Sequence, residues 1–123
     1  MIFDHINIDV PQALLATTKA FYEDIFDLTE GFRPQLSRNG YWMYFEDKPI
    51  LHLFERDEAI TGQHQSYLDH VAFQLSNIDD FKARLAKYKI NYRTLVNDEI
   101  KITQLFFRDP AGAKLECIFK HSG

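Results

Sequence analysis

A chain of 123 residues, 46% hydrophobic and 15% aromatic, is long enough for one domain with a real core, too short for two ordinary ones, and too apolar for disorder. A formal charge of −4, from 14 Lys+Arg against 18 Asp+Glu, and the lack of a clustered basic stretch argue against a nucleic-acid binder. The single cysteine, Cys117, excludes an intrachain disulfide and suits a reducing, cytoplasmic compartment; no signal peptide is legible, and no apolar run approaches the roughly 20 residues that span a bilayer.

Residues 2–10 alternate. Ile6, Ile8 and Val10 share one side, and His5, Asn7 and Asp9 the other, which is a strand with one apolar and one polar face. Over 12–26 the period changes: Leu14, Thr18, Phe21, Tyr22 and Ile25 recur at helical spacing, and Pro11 suits a helix start. The pattern breaks at 27–31, and a short strand near Phe32 is weakly signalled. Strands are predicted over 41–46 and 50–55, joined by a turn at Asp47-Lys48-Pro49. The polar segment 57–66, with His64, is the linker. The next strand covers 68–75. Ser76 with Asp79 resembles a capping box, and Ile78, Phe81, Leu85 and Tyr88 form the stripe of a second helix. Strands follow at 91–96, 102–107 and 114–119, with Asp109-Pro110-Ala111-Gly112 as a turn. His121 is expected to be exposed in the tail.

The chain repeats itself. Asp4-His5-Ile6-Asn7-Ile8 matches Asp69-His70-Val71-Ala72-Phe73, with 65 positions between the two Asp-His pairs, and each half ends on an apolar strand broken by one polar residue, His52 or Glu116. Two copies of this size are two equivalent modules rather than a solenoid: module 1 over about 1–56 and module 2 over about 67–120 of one domain. In the second module Asp69, Val71, Phe73 and Leu75 are expected to face the helix, leaving His70 on the polar side. A buried imidazole or carboxylate is costly unless paired or metal-bound. Four such interruptions related by a repeat point to one site if the sheets join into a cup, and neutral imidazole with carboxylate suits Zn, Fe, Mn or Ni in the divalent state. Taken singly, each interruption is more often a satisfied structural side chain than a ligand. Cys117 should point away from Glu116 and is not expected to act as a catalytic thiol.

Asp4-His5-Ile6, Phe21-Tyr22-Glu23-Asp24-Ile25-Phe26, Gly31-Phe32-Arg33-Pro34, Asp69-His70-Val71-Ala72-Phe73 and Asp109-Pro110-Ala111-Gly112-Ala113-Lys114-Leu115-Glu116 together resemble the vicinal oxygen chelate superfamily, which includes glyoxalase I, extradiol dioxygenases, fosfomycin-resistance proteins and bleomycin-binding proteins. The resemblance implies an α+β fold of two βαβββ modules forming a cupped mixed sheet, and a homodimer. It places metal ligands on His5, His70 and Glu116, with Glu116 also the catalytic carboxylate, and puts His52 at the fourth position, where it either ligates or only lines the cup. Glutathione-using relatives carry an Arg four residues after the first His. Here Asp9 stands there, and an acid repels a glutathione carboxylate. The fosfomycin enzymes extend further past the last ligand, whereas this sequence runs seven residues beyond Glu116, which is expected to disfavour a phosphonate.

The leading expectation is therefore a metal-dependent enzyme that chelates neighbouring oxygens of a small substrate. Lyase or isomerase chemistry follows if His52 ligates. Extradiol-type dioxygenase chemistry on a two-His-one-carboxylate iron site follows if it does not. Gln104, Tyr44 and Arg33 are the substrate-binding candidates. The alternative is a metal-free binding protein in which Tyr41, Trp42, Tyr44, Phe45, Phe54 and Phe106 stack on a flat ligand.

Overall fold

The computed structural model describes residues 2–56 and 69–121. The chain divides into two compact units, Met1–His64 and Gln65–Gly123, each a βαβββ module. The expected linker, with His64, lies outside the described residues, as does Leu68.

In unit 1, β1 (Ile6–Val10) leads through a single 3-10 turn into α1 (Leu15–Phe26), followed by β2 (Thr29–Gly31), β3 (Gly40–Phe45) and β4 (Lys48–Glu55). The sheet order is β1-β4-β3-β2; β1 runs parallel to β4 and the other pairs are antiparallel. The period of two dictates the layering. Val10, Met43, Leu51 and Leu53 are buried on one face with Thr18, Tyr22 and Ile25 of α1. Each large apolar side chain taken from water this way contributes about 1.5–3 kcal/mol. Lys19 on α1 fastens the layer by bonding Glu30 at 2.9 Å and lying 5.1 Å over the Tyr41 ring. Asn7, Asp9, Trp42, His52 and Phe54 alternate to the helix-free face. α1 ends at Asp27, which takes the left-handed conformation (φ 56) that lets a chain leave a helix.

Unit 2 repeats the scheme with β5 (Val71–Gln74), α2 (Ile78–Lys87), β6 (Arg93–Asn97), β7 (Ile102–Arg108) and β8 (Lys114–Lys120), in sheet order β5-β8-β7-β6. Phe81 of α2 meets Phe107 and Phe119 with ring centroids 6.1 and 5.7 Å apart, over buried Leu85, Leu105, Leu115 and Cys117. The turn before β8 forms as the sequence predicts: Gly112, at φ 96, donates to the Asp109 carbonyl, and the Asp109 carboxylate accepts from the Ala113 amide at 2.8 Å.

Several local expectations shift. The first hairpin turns at Glu46-Asp47, with Glu46 at φ 55 and Phe45 paired to Lys48, so Pro49 lies inside β4. The helix cap is Asn77, not Ser76: its side chain accepts from the Asp80 amide at 3.3 Å and donates to the Asp80 carboxylate at 2.6 Å. A left-handed Asn fills the role expected of Ser, because short amides tolerate φ 63 and bond their own backbone. The short strand precedes Phe32, which is 76% exposed. Asp69 precedes β5 and is exposed rather than packed under the helix, because Lys114 and His70 hold its carboxylate at the surface. Tyr88 falls beyond the end of α2 and is also exposed.

One glycine is fixed by close approach. A Cβ on Gly40 would stand 2.1 Å from the Leu53 carbonyl oxygen. Gly40→Ala is therefore expected to cost roughly 1–3 kcal/mol or more, read as a lower midpoint in urea unfolding with an unchanged slope.

Candidate functional site

The equivalent positions of the two units are built alike. In each, an Asp-His pair sits just ahead of the first strand, and the carboxylate turns back onto its neighbour's ring. Nδ1 of His5 donates to Asp4 at 2.7 Å, and Nδ1 of His70 donates to Asp69 at 2.8 Å. A carboxylate only accepts, so the ring proton of each neutral imidazole lies on Nδ1 and the lone pair on Nε2. This is how ligating histidines are commonly oriented.

In unit 2, cross-strand register places Ala72, Glu116 and Phe106 in one row, on the face opposite α2. Glu116 is 6% exposed. Its Oε1 lies 3.2 Å from His70 Nε2, and its Oε2 accepts from Gln104 Nε2 at 3.4 Å. Lys114 bonds the outer end of the chain of contacts, 3.1 Å from Asp69. The bond to His70, then Lys114, holds the Asp69 carboxyl below the usual range. The line Lys114–Asp69–His70–Glu116–Gln104 thus fixes every rotor around one buried carboxylate. With His70 neutral, two acceptors face each other at its inner end, the Nε2 lone pair and a carboxylate oxygen. That contact is repulsive unless a proton or cation lies between them. Two donors bound at about 2.1 Å to one cation stand about 3 Å apart when nearly at right angles, so the 3.2 Å spacing fits a shared divalent ion.

In unit 1 the corresponding row is Asn7, His52 and Trp42. Here the contacts are between ring faces. His52 stacks on Trp42 (centroids 4.1 Å, 9° between planes) and His5 stacks on His52 (3.8 Å, 12°). His52 is 7% exposed and its Nε2 has no partner. The backbone of Pro49 favours the protonated ring, against the larger effect of burial. Proline has no N–H, so that backbone can only accept from the ring; with the ring proton on Nδ1, Nε2 keeps its lone pair. Burial pushes the His52 pKa below its ordinary value, and the charges of His5 and Arg33 push the same way against Pro49 and Asp4. His52 is a neutral, buried, unpartnered acceptor, a fit donor for a divalent cation.

The structure therefore gathers the sequence-predicted residues in pairs, His5 with His52 and His70 with Glu116. Among the described residues no three His, Cys, Asp or Glu side chains form a metal-holding group. Gln104 stands on Glu116. Tyr44 donates to the Phe32 carbonyl at 2.7 Å, and Arg33 donates to the Arg38 carbonyl at 2.8 Å; both brace the segment ahead of β3. Cys117 is fully buried on the helix side, and burial, followed by the Glu116 charge, pushes its thiol up to about 12. His121 is exposed, as expected. A cavity of about 480 Å³ beside the start of α2, lined by Gln74, Asn77, Asp79, Thr103 and Lys120, includes none of the expected site residues. Sequence reasoning missed the Asp4 and Asp69 orienting bonds, Lys114 and the Trp42 stack. The repeated Asp-His dipeptide was the available signal for the first two.

The His52 assignment has a sign. A histidine whose folded pKa is depressed contributes stability that is present above pH ~6.5 and lost as pH falls through the folded value. Wild-type protein should lose stability between pH 7 and 5 more steeply than His52→Gln. In an NMR titration the His52 ring should also change at a pH below the ordinary imidazole value.

A family model described as the Glyoxalase/Bleomycin resistance protein/Dioxygenase superfamily matches residues 2–117. No curated protein sequence matches the chain. Among solved structures, a glyoxylase/bleomycin resistance protein/dioxygenase domain from Frankia sp. EAN1pec superposes with a TM-score of 0.80 at 22% identity, covering 100% of this chain and 94% of that one. A mutant of the genomically encoded fosfomycin resistance protein of Listeria monocytogenes, complexed with Mn(II) and 1S,2S-dihydroxypropylphosphonic acid, gives 0.76 at 19%, covering 98% and 95%. Lactoylglutathione lyase from Agrobacterium tumefaciens gives 0.70 at 18%, covering 96% and 92%. At these identities the likeness shows the fold. Among the described residues no helix is long and apolar enough to cross a membrane.

Proposed function

Since the chain belongs to the glyoxalase/bleomycin resistance protein/dioxygenase superfamily, we propose that it is a divalent-metal-dependent enzyme acting on a small molecule with two neighbouring oxygens. The observation that carries the reading is the 3.2 Å approach of His70 Nε2 to Glu116 Oε1, with Asp69 fixing the tautomer from behind. His70 and Glu116 are the proposed ligands in unit 2. The repeat-related His5 is the corresponding proposed ligand in unit 1, where His52 either ligates or only lines the site. When bound, the ion supplies Lewis-acid stabilisation of charge developing on substrate oxygen.

The protein's own residues divide the remaining work. Asp69, held by Lys114, keeps His70 from rotating and makes its free nitrogen more basic. Gln104 satisfies the second Glu116 oxygen, fixing the plane of the carboxylate while leaving Oε1 free, and its other amide valences can meet a substrate oxygen. With His52 as a ligand, proton-transfer chemistry of the lyase or isomerase kind is favoured, with Glu116 moving the proton. Without it, two histidines and one carboxylate leave open positions suited to iron and an extradiol-type reaction. The lone buried Cys117 suits a cytoplasmic setting, and the family resemblance carries a homodimer.

A second reading has its own support. The Trp42–His52–His5 stack is a preformed aromatic platform, which suits a metal-free protein that sequesters flat molecules.

Metal analysis separates the two. Untagged protein reconstituted with Zn²⁺, Mn²⁺ or Fe²⁺ and passed through a desalting column should retain stoichiometric metal. His70→Ala and Glu116→Gln should weaken binding by about 100-fold or more, and Asp69→Asn by about 10–100-fold. Failure of the wild type to retain any of the three ions would leave the binding-protein reading.

A further inference from the structure

On the helix-free face of unit 1, two positions along β4 from His52, Phe54 carries two guanidinium groups. The central carbon of Arg33 lies 5.0 Å from the ring centroid and that of Arg38 lies 4.7 Å from it. Neither arginine has an acidic partner among the described residues. The neighbouring carboxylate is that of Asp9, which pairs with Phe54 across β1 and β4, and it accepts from the Asn7 amide at 2.9 Å. The arginines' own bonds go to backbone carbonyls, Arg33 to Arg38 at 2.8 Å and Arg38 to Glu55 at 3.3 Å. Most of their ten N–H donors remain uncommitted, and Nε of Arg33 is buried without a partner.

Bracing alone does not account for this arrangement. One guanidinium stacked on Phe54 would hold the segment ahead of β3, at a gain of about 0.5–2 kcal/mol. A second on the same half-buried ring adds like-charge repulsion and leaves a desolvated donor unpaired. An anion between the forks removes both penalties, because planar guanidinium groups bind carboxylate and phosphate oxygens in bidentate fashion. The charge of Arg33 is also felt at His52, where it helps hold the imidazole neutral.

We propose that Arg33 and Arg38, set around Phe54, form an oxyanion-binding site that takes the carboxylate or phosphonate group of a small ligand. The site goes beyond the cation proposal and stands whether or not His70 and Glu116 hold a metal. It gives Arg33 a specific role among the substrate-binding candidates and adds Arg38 and Phe54. It also offsets the acid at position 9, because the positive charge that an anionic substrate requires comes from the segment ahead of β3 instead of from β1.

The test is calorimetric titration of the full chain, in chelator, with benzoate, phenylphosphonate and the uncharged benzyl alcohol. At least one anion should bind, more weakly as salt rises, while benzyl alcohol does not; which anion binds identifies the oxyanion. Arg38→Gln should lower that affinity about tenfold or more, with Arg38→Lys between it and wild type. Arg33→Gln loses a bracing bond and could unfold the segment, so the second readout uses wild-type protein: the binding anion should shift the ring NMR signals of Phe54 and His52. Binding seen only without chelator belongs to a metal and overturns the site. So does equal affinity for benzyl alcohol, an Arg38→Gln variant that binds like wild type, or the absence of binding by either anion.

Discussion

A buried carboxylate facing an imidazole nitrogen is the contact on which the proposed chemistry turns. Glu116 lies in the middle of β8, between Leu115 and Cys117, in a strand whose other face is core. Leaving a carboxylate there unpaired costs several kcal/mol. The chain surrounds it with a fixed network: Gln104 donates to one oxygen, His70 Nε2 faces the other, and Asp69 and Lys114 lie behind the imidazole. A charge retained in a strand core, with every neighbour's orientation fixed, suits cation binding far better than it suits stability, since an apolar residue at position 116 would serve the sheet as well or better.

The same constraint explains why the two units, alike in topology, differ in chemistry. Position 52 occupies the place in β4 that position 116 occupies in β8, yet it carries a neutral imidazole. An imidazole can be buried by stacking, and Trp42 and His5 provide the faces, whereas a carboxylate must be hydrogen-bonded. Unit 1 therefore solves the burial problem with rings and unit 2 with a polar network. The asymmetry gives the two helix-free faces different chemical character. One is aromatic and, through Arg33 and Arg38, positive; the other is anionic at its centre.

Much of this was legible in the sequence, for identifiable reasons. Alternation in Ile6-Asn7-Ile8-Asp9-Val10 sets both the strand and its faces, and the duplicated Asp-His pairs and the polar residues at 52 and 116 mark the equivalent positions. Turn residues at Asp109 and Gly112 carry unambiguous geometry. Features that depend on a register across strands were not legible. Nothing in the local sequence says that Trp42 stands opposite His52, since that pairing is set by the hairpin turn at Glu46-Asp47 together with a register shift between Met43 and Phe45. Nor does sequence distinguish Ser76 from Asn77 as a cap when both can accept an amide hydrogen bond. A left-handed backbone selects the asparagine.

The position of Asp9 shows how far a resemblance carries. The resemblance read from the sequence implies a cation at the corresponding place in glutathione-using relatives. An acid there weakens the case for a glutathione substrate without excluding anionic substrates as a class. Its carboxylate is turned to the Asn7 amide on its own strand. The adjacent strand's Phe54 carries Arg33 and Arg38. A fold that supplies ligand-binding charge from whichever segment borders the sheet can exchange a cation on the first strand for two ahead of the third while keeping its strands and register. On the readings proposed above, substrate choice would be set by the connecting segments and the cross-strand rows, and the duplicated Asp-His pairs, common to both units, would set only where chemistry can occur.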